Sequence, residues 1–185
     1  FSRPPLRVDV VVCGGPCGVG VQAWPLRLLV NHWKSKTEDT AQTEYTLPRR
    51  LLQAQFVSGL AAGWLAEDPQ AGLVVLGDFN DLPGSAPMQA LAQAGLVDLW
   101  GRVPPGERYS YVYQGVSQAL DYIWVSPALA TSREVGVRAF PFRSNADFPA
   151  LYAGVDSTAW RSSDHDPVWA AFFSFRAWVF LACLP

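Results

Sequence analysis

The chain has two histidines and three cysteines in 185 residues. The cysteines, Cys13, Cys17 and Cys183, form no Cys-x-x-Cys pair, and neither histidine lies near them in sequence. That excludes a zinc site of the usual spacing. Cys13-Gly14-Gly15-Pro16-Cys17 is a turn-rich loop, open to a local disulfide or to unpaired thiols. Charged residues are 16% of the chain against 50% hydrophobic, which excludes global disorder. The net charge of −2 gives no whole-chain signal for nucleic acid, so any basic groove must be local. The apolar stretch 169–184 falls short of the roughly 20 residues of a transmembrane helix and is interrupted by Arg176, so no membrane span is expected. There is no Gly-x-Ser-x-Gly elbow, which argues against a Ser-His-Asp hydrolase. Position 1 is not Met, no signal-like segment follows, and the opening residues read as the interior of a longer protein.

What the chain does have is length and patterned apolar runs. At 185 residues it fits one domain with a real core. Its organising stretch is Leu73-Val74-Val75-Leu76-Gly77-Asp78-Phe79-Asn80-Asp81. The four leading apolar residues suit a strand covered on both faces. Continued strand geometry puts Asp78 and Asn80 on one side; the alternative is an Asx-type turn before Pro83-Gly84. Upstream, alternation at Leu6, Val8, Val10 and Val12 predicts a strand, paired through the loop 13–25 with a second over 26–31. A helix is expected from Pro48, with Thr46 as N-cap. Leu52, Phe56, Leu60 and Trp64, flanked by Val57, Ala61 and Leu65, are its expected buried face. A short helix follows, capped by Ser85 and closed by Gly95. Segments 109–113 and 119–125 read as a hairpin joined by the five-residue loop 114–118. Val135, Val137 and Ala139 mark a further strand and 168–175 the last one. The irregular segment 141–163 has a length that marks function or disorder in a compact domain. Early alternation of strands and helices, with hairpins late, predicts a mixed α/β fold.

Each histidine lies against an apolar strand, and each has polar company. His32 has Asn31 beside it, and His165 has Asp164 and Asp166. Asp121 is the only charge in 119–125, so its carboxylate needs a charged or hydrogen-bonding partner. Singly these residues have ordinary readings: a surface histidine, an aspartate shaping the turn before Pro167, a carboxylate bonded to backbone amides. Jointly, on a chain with two histidines, they point to a site.

Four ordered motifs carry a resemblance. Asn31-His32-Trp33-Lys34-Ser35-Lys36, Gly77-Asp78-Phe79-Asn80, Leu120-Asp121-Tyr122-Ile123 and Ser163-Asp164-His165-Asp166-Pro167-Val168 resemble the later motifs of the endonuclease/exonuclease/phosphatase superfamily. Lys34-Ser35-Lys36 and Tyr109-Ser110-Tyr111-Val112-Tyr113 are most similar to bacterial extracellular nucleases. The resemblance implies a four-layer α/β sandwich of two mixed sheets with outer helices, and an active site at one end of the sheets. It covers 1–175 and leaves 176–185 as an apolar tail without an assigned role. The family's early Asn and metal-binding Glu have no counterpart here. The chain is therefore expected to be the C-terminal part of the domain, lacking its N-terminal portion, and a poor catalyst alone.

By the same resemblance the activity is metal-dependent phosphodiester hydrolysis, as in a secreted nuclease acting on DNA or RNA in an extracellular or periplasmic setting. It implies His32, Asp78, Asn80, Asp121 and His165 as catalytic residues. Arg3, Asn31, Lys34 and Lys36 would bind substrate. Asp164 and Asp78 would hold a divalent cation, Mg2+ first, with Ca2+ or Mn2+ as alternatives. Lys34, Lys36, Arg49 and Arg50 form either a basic rim for a polyanion or a solvated charge run. Two other readings stay open: a phosphatase or sphingomyelinase on the same scaffold, and a non-catalytic remnant serving as an interaction module.

Overall fold

The computed structural model describes residues 3–13, 16, 18, 20, 23–132, 136–149, 160–174 and 177–183, with 136–138, 173–174 and 177–183 described as backbone alone. In chain order the strands are β1 (Leu6–Cys13), β2 (Ala23–His32), β3 (Gly72–Asp78), β4 (Val97–Asp98), β5 (Tyr111–Tyr113), β6 (Val116–Gln118), β7 (Asp121–Val125), β8 (Gly136–Pro141), β9 (Val168–Ser174) and β10 (Ala177–Cys183). The helices are α1 (Leu47–Glu67), α2 (Ala86–Gln93) and α3 (Pro127–Thr131).

Five strands form a mixed sheet in the order β1-β2-β3-β7-β4. β1 and β2 pair antiparallel, Leu6 against Val30 and Cys13 against Ala23, as alternation on both sides of one loop predicts. β2 and β3 run parallel, with α1 in the crossover between them. A parallel pair needs such a crossover, and it leaves β3 buried on both faces, as its unbroken apolar run requires. β8, β9 and β10 form a second, antiparallel sheet. Val57 and Ala61 of α1, Val74 and Val75 of β3, Ile123 of β7, and Ala170 and Phe172 of β9 share one core cluster, which ties the helix to both sheets.

Three expectations are corrected. The expected apolar face of α1 holds in part: Val57 and Ala61 are buried and Leu60, Trp64 and Leu65 pack against the core, but Leu52 and Phe56 are 64% and 47% exposed, and Arg50, Gln53 and Ala54 are buried in their place. A row of every fourth residue drifts around a helix of 3.6 residues per turn, whereas positions 50, 53, 54, 57 and 61 keep to one side. The hairpin is not 109–113 with 119–125. β5 pairs with β6 across the two-residue turn Gln114-Gly115, where φ is 50° and 78°. Two positive φ values are what a tight type I′ turn demands. β7 is thereby released into the main sheet, between β3 and β4. Finally, most of 176–185 is a strand: β10 pairs with β9 from Ala177 against Ser174 to Cys183 against Val168. Cys13 is disulfide-bonded, the first of the two alternatives left open for it; Cys17, the local partner considered, lies outside the described residues, as does Val135. No described helix is long and apolar enough to cross a membrane.

Candidate active site

Strand register alone brings three of the expected residues side by side. His32 of β2 pairs with Asp78 of β3, and Asp78 pairs with Asp121 of β7. Neighbouring strands lie about 4.8 Å apart, so the three residues form a row at one end of the sheet. Gly77 makes the row possible. It stands opposite Asn31 with φ 137°, and a Cβ there would lie 1.9 Å from the Asn31 carbonyl oxygen. Any side chain would push β3 away from β2 one residue before Asp78.

His165 extends the row from a separate segment. Its Nδ1–H donates to Asp121 Oδ2 at 2.6 Å, and both residues are buried. Ser110 fixes the carboxylate: its hydroxyl donates to Asp121 Oδ2 at 2.7 Å and accepts from the Leu120 and Asp121 backbone N–H groups at 3.2 and 3.1 Å. The Tyr111 ring lies 4.7 Å from the imidazole, and a backbone bridge joins Tyr111 to His165. Burial works against the charged imidazole, but the hydrogen bond and charge of Asp121, with the charges of Asp78 and Asp164, outweigh it. The pKa of His165 is raised.

Asp78 and Asn80 are side by side, but through a turn rather than through strand alternation. β3 ends at Asp78, and Asn80 takes φ 51°. Its backbone N–H donates to Asp78 Oδ1 and its side-chain amide to Asp78 Oδ2, both at 2.8 Å. This is the Asx-type turn, with the carboxamide added to it. Burial and the charge of Asp121 push the Asp78 carboxyl up to about 6, against the pull of His165 and of these hydrogen bonds. His32 Nε2 lies 3.6 Å from Asp78 Oδ2, with half of its side chain exposed. Partial burial and then the charge of Arg3 lower its pKa, so Arg3 belongs to the electrostatic surroundings of His32.

Ligand atoms of Asp78, Asp121 and His165 lie within 4.8 Å of one another. His165 Nδ1 is taken by Asp121, which leaves the carboxylate oxygens and His165 Nε2 as possible donors. Among the described residues, Asp121 Oδ1 is buried without a hydrogen-bond partner. Two adjacent carboxylates, one with an orphaned oxygen and the other held back from ionising, fit a hard divalent cation. Asp164 is exposed and is not in this cluster, although its charge reaches both His165 and Tyr111.

The substrate side is placed less as expected. The Asn31 amide is buried and donates to the carbonyls of Leu29 and Leu76, while its oxygen accepts from Trp33 Nε1. It supports the end of β2 and does not face the open side. Lys34 is ion-paired with Glu38, and Lys36 is half-buried. Arg50 is no part of a rim: it is fully buried and bound to Asp81 at 2.8 Å, to Asp39 at 3.1 Å and to the Thr46 hydroxyl. Thr46 accordingly makes no side-chain cap on α1 and donates to Asp39 instead.

Sequence reasoning does not single out Ser110 and Asp166 as supports of the site. Asp166 Oδ1 accepts from the backbone of Ser144, Asn145 and Ala146, and Oδ2 from Arg143, which folds 143–146 against the segment that carries the histidine. The only available signal for Ser110 is a small hydroxyl residue between two tyrosines, ahead of a strand that buries a carboxylate.

Among known proteins, the chain is similar in fold to truncated TDP2 from Caenorhabditis elegans, with TM-score 0.56 and 16% identity over 92% of this chain and 67% of that one. Humanized D. rerio TDP2 carrying 14 mutations gives 0.53 and 17% over 92% and 68%. The human nocturnin catalytic domain with bound sulfate gives 0.50 and 16% over 95% and 53%. The chain thus spans about half to two thirds of the length of these structures. No curated protein matches it. The model of the Endonuclease/Exonuclease/phosphatase family matches residues 1–165, nearly the whole length over which the row and its supporting loops are built. The chain belongs to the endonuclease/exonuclease/phosphatase family, whose hydrolases cleave phosphoesters with the help of a divalent metal.

Proposed function

We propose that this chain carries the proton-transfer machinery of a divalent-metal-dependent nuclease that cuts DNA or RNA outside the cytoplasm. The observation behind this reading is the register-built row of His32, Asp78 and Asp121, continued by a hydrogen bond into His165. His165 takes the proton of the attacking water at Nε2. Asp121 holds Nδ1, selects the tautomer and stabilises the ring as it becomes charged. His32 has a lowered pKa and an open side chain, so it serves the phosphate oxygens as a neutral hydrogen-bond donor beside the cationic Arg3. Asn80 steadies the Asp78 carboxylate and borders the same phosphate. A divalent cation, Mg2+ with Ca2+ or Mn2+ as alternatives, would be held by Asp78 and the free oxygen of Asp121, with the exposed Asp164 outside that cluster and adding only its charge, and when bound would neutralise phosphate charge. The disulfide at Cys13 supports an extracellular or periplasmic setting, where such bonds persist.

The test incubates the chain with DNA, RNA and bis(p-nitrophenyl) phosphate in Mg2+, Mn2+, Ca2+ or EDTA. Metal-dependent cleavage that is lost in His165→Ala is the expected result. Hydrolysis of phosphomonoesters alone would favour a phosphatase. Because the chain alone is expected to be a poor catalyst, the deciding sample is the full-length protein: no turnover there with any metal would end the enzymatic reading and leave an interaction module.

A further inference from the structure

The hairpin β5–β6 forms a two-stranded sheet of its own beside the row. Tyr111 and Tyr113 stand two residues apart on one of its faces, their rings nearly parallel at 9° and 6.3 Å between centroids. The first ring rests on the His165 imidazole at 4.7 Å. Tyr113 is 53% exposed, and Val116, its partner across the hairpin, is also exposed. An aromatic track therefore leads from the catalytic imidazole outwards into solvent. The packing of the domain does not require it, because neither tyrosine belongs to the core cluster.

From this geometry we infer that Tyr113, continuing the surface begun by Tyr111, is a stacking subsite for a nucleobase of the substrate strand next to the cleaved phosphodiester. The inference rests on the phosphodiesterase reading above and names what that site reads besides phosphate. Tyr111 packs on the His165 imidazole, so a substituent of a diester held at His165 that runs along this side passes Tyr111 and meets the exposed ring of Tyr113. An aliphatic chain would call for a concave apolar groove. This face bears two phenol rings with their hydroxyls, with Gln118 opposite Tyr111 and Val116 opposite Tyr113. Stacking of this kind is tolerant of base identity, because every base has a π-face.

The experiment compares two single-stranded oligonucleotides, one with ordinary nucleotides around the scissile bond and one with abasic tetrahydrofuran residues there. The readout is the ratio of their kcat/KM values. In Tyr113→Ala the ratio should fall about 5- to 150-fold, the range set by base–aromatic stacking, and Tyr113→Trp should restore it. Anisotropy in EDTA should show the same loss of preference in binding, independent of turnover. An unchanged ratio, or an equal fall on both substrates, would overturn the inference while leaving the nuclease reading in place. A selective loss of sphingomyelin hydrolysis would replace the base by a lipid. If the unaltered chain cleaves neither oligonucleotide and shows no binding preference for bases, both readings fail together.

Discussion

Asp78 and His165 both bind their protons more tightly in the folded chain than in the unfolded one. A group of this kind stabilises the fold below its unfolded pKa, and the contribution is lost as pH rises through the folded value. For Asp78 the window runs from 3.8 to about 6, and His165 adds loss above its ordinary value. His32, shifted the other way, opposes this weakly because it is half exposed. The metal-free chain is therefore expected to be more stable at pH 5 than at pH 7.5, by about 1–3 kcal/mol, in urea unfolding at the two values. Equal stability would mean that Asp78 and His165 do not hold their protons more tightly in the folded chain. On the proposed mechanism the His165–Asp121 pair governs rate. A base must be deprotonated, so activity should rise with pH through the raised pKa of His165. Asp121→Asn is expected to cost about 10²–10⁴ in kcat and to move that acid limb to lower pH. An unmoved limb would remove His165 as the base.

Local pattern made the strands legible and left their partners open. Alternation at Leu6 to Val12 and the run at Leu73 to Leu76 each became a strand, because side-chain period and burial are local properties. The choice of β3 rather than the preceding segment as partner of β7 depends on a turn two residues long, which an apolar pattern does not encode. α1 teaches the same lesson. A buried arginine is indistinguishable from a surface one until its acidic partners are known, and Asp39 and Asp81 lie 11 and 31 residues from it in sequence. Arg50 joins the loop after His32 to the turn after Asp78, and Trp33, Phe79 and Tyr122 pack edge to face beneath that junction. Removing the arginine strands two buried carboxylates, so Arg50→Met should destabilise by about 3–5 kcal/mol. Adding Asp81→Asn should recover part of that loss, which a double-mutant cycle measures. Strict additivity would show that the buried ion pair is not coupled.

Across the whole chain, the order of four motifs was the most informative signal, since it pointed to residues from separate segments that register and a single hydrogen bond then brought together. Electrostatics was less legible, because counting lysines and arginines says nothing of which are already neutralised. Of the expected basic rim, Arg50 is buried and Lys34 is paired with Glu38, which leaves Lys36 and Arg49, with Arg3 near His32. Three cations on a chain of net charge −2 can displace few counterions from a nucleic acid. Log affinity against log salt should then fall with a slope of about −2 for a single strand and no steeper than about −3 for a duplex. Lys36→Ala should flatten the slope by about 0.7–0.9, with the greatest loss of affinity at low salt, where the missing contact is least screened. Titrations with a labelled oligonucleotide in EDTA, from low to high salt, measure both quantities. A slope of about −6 would mean that substrate is held by a basic surface other than these three residues, and an unchanged slope in Lys36→Ala would take that lysine off the path of the strand.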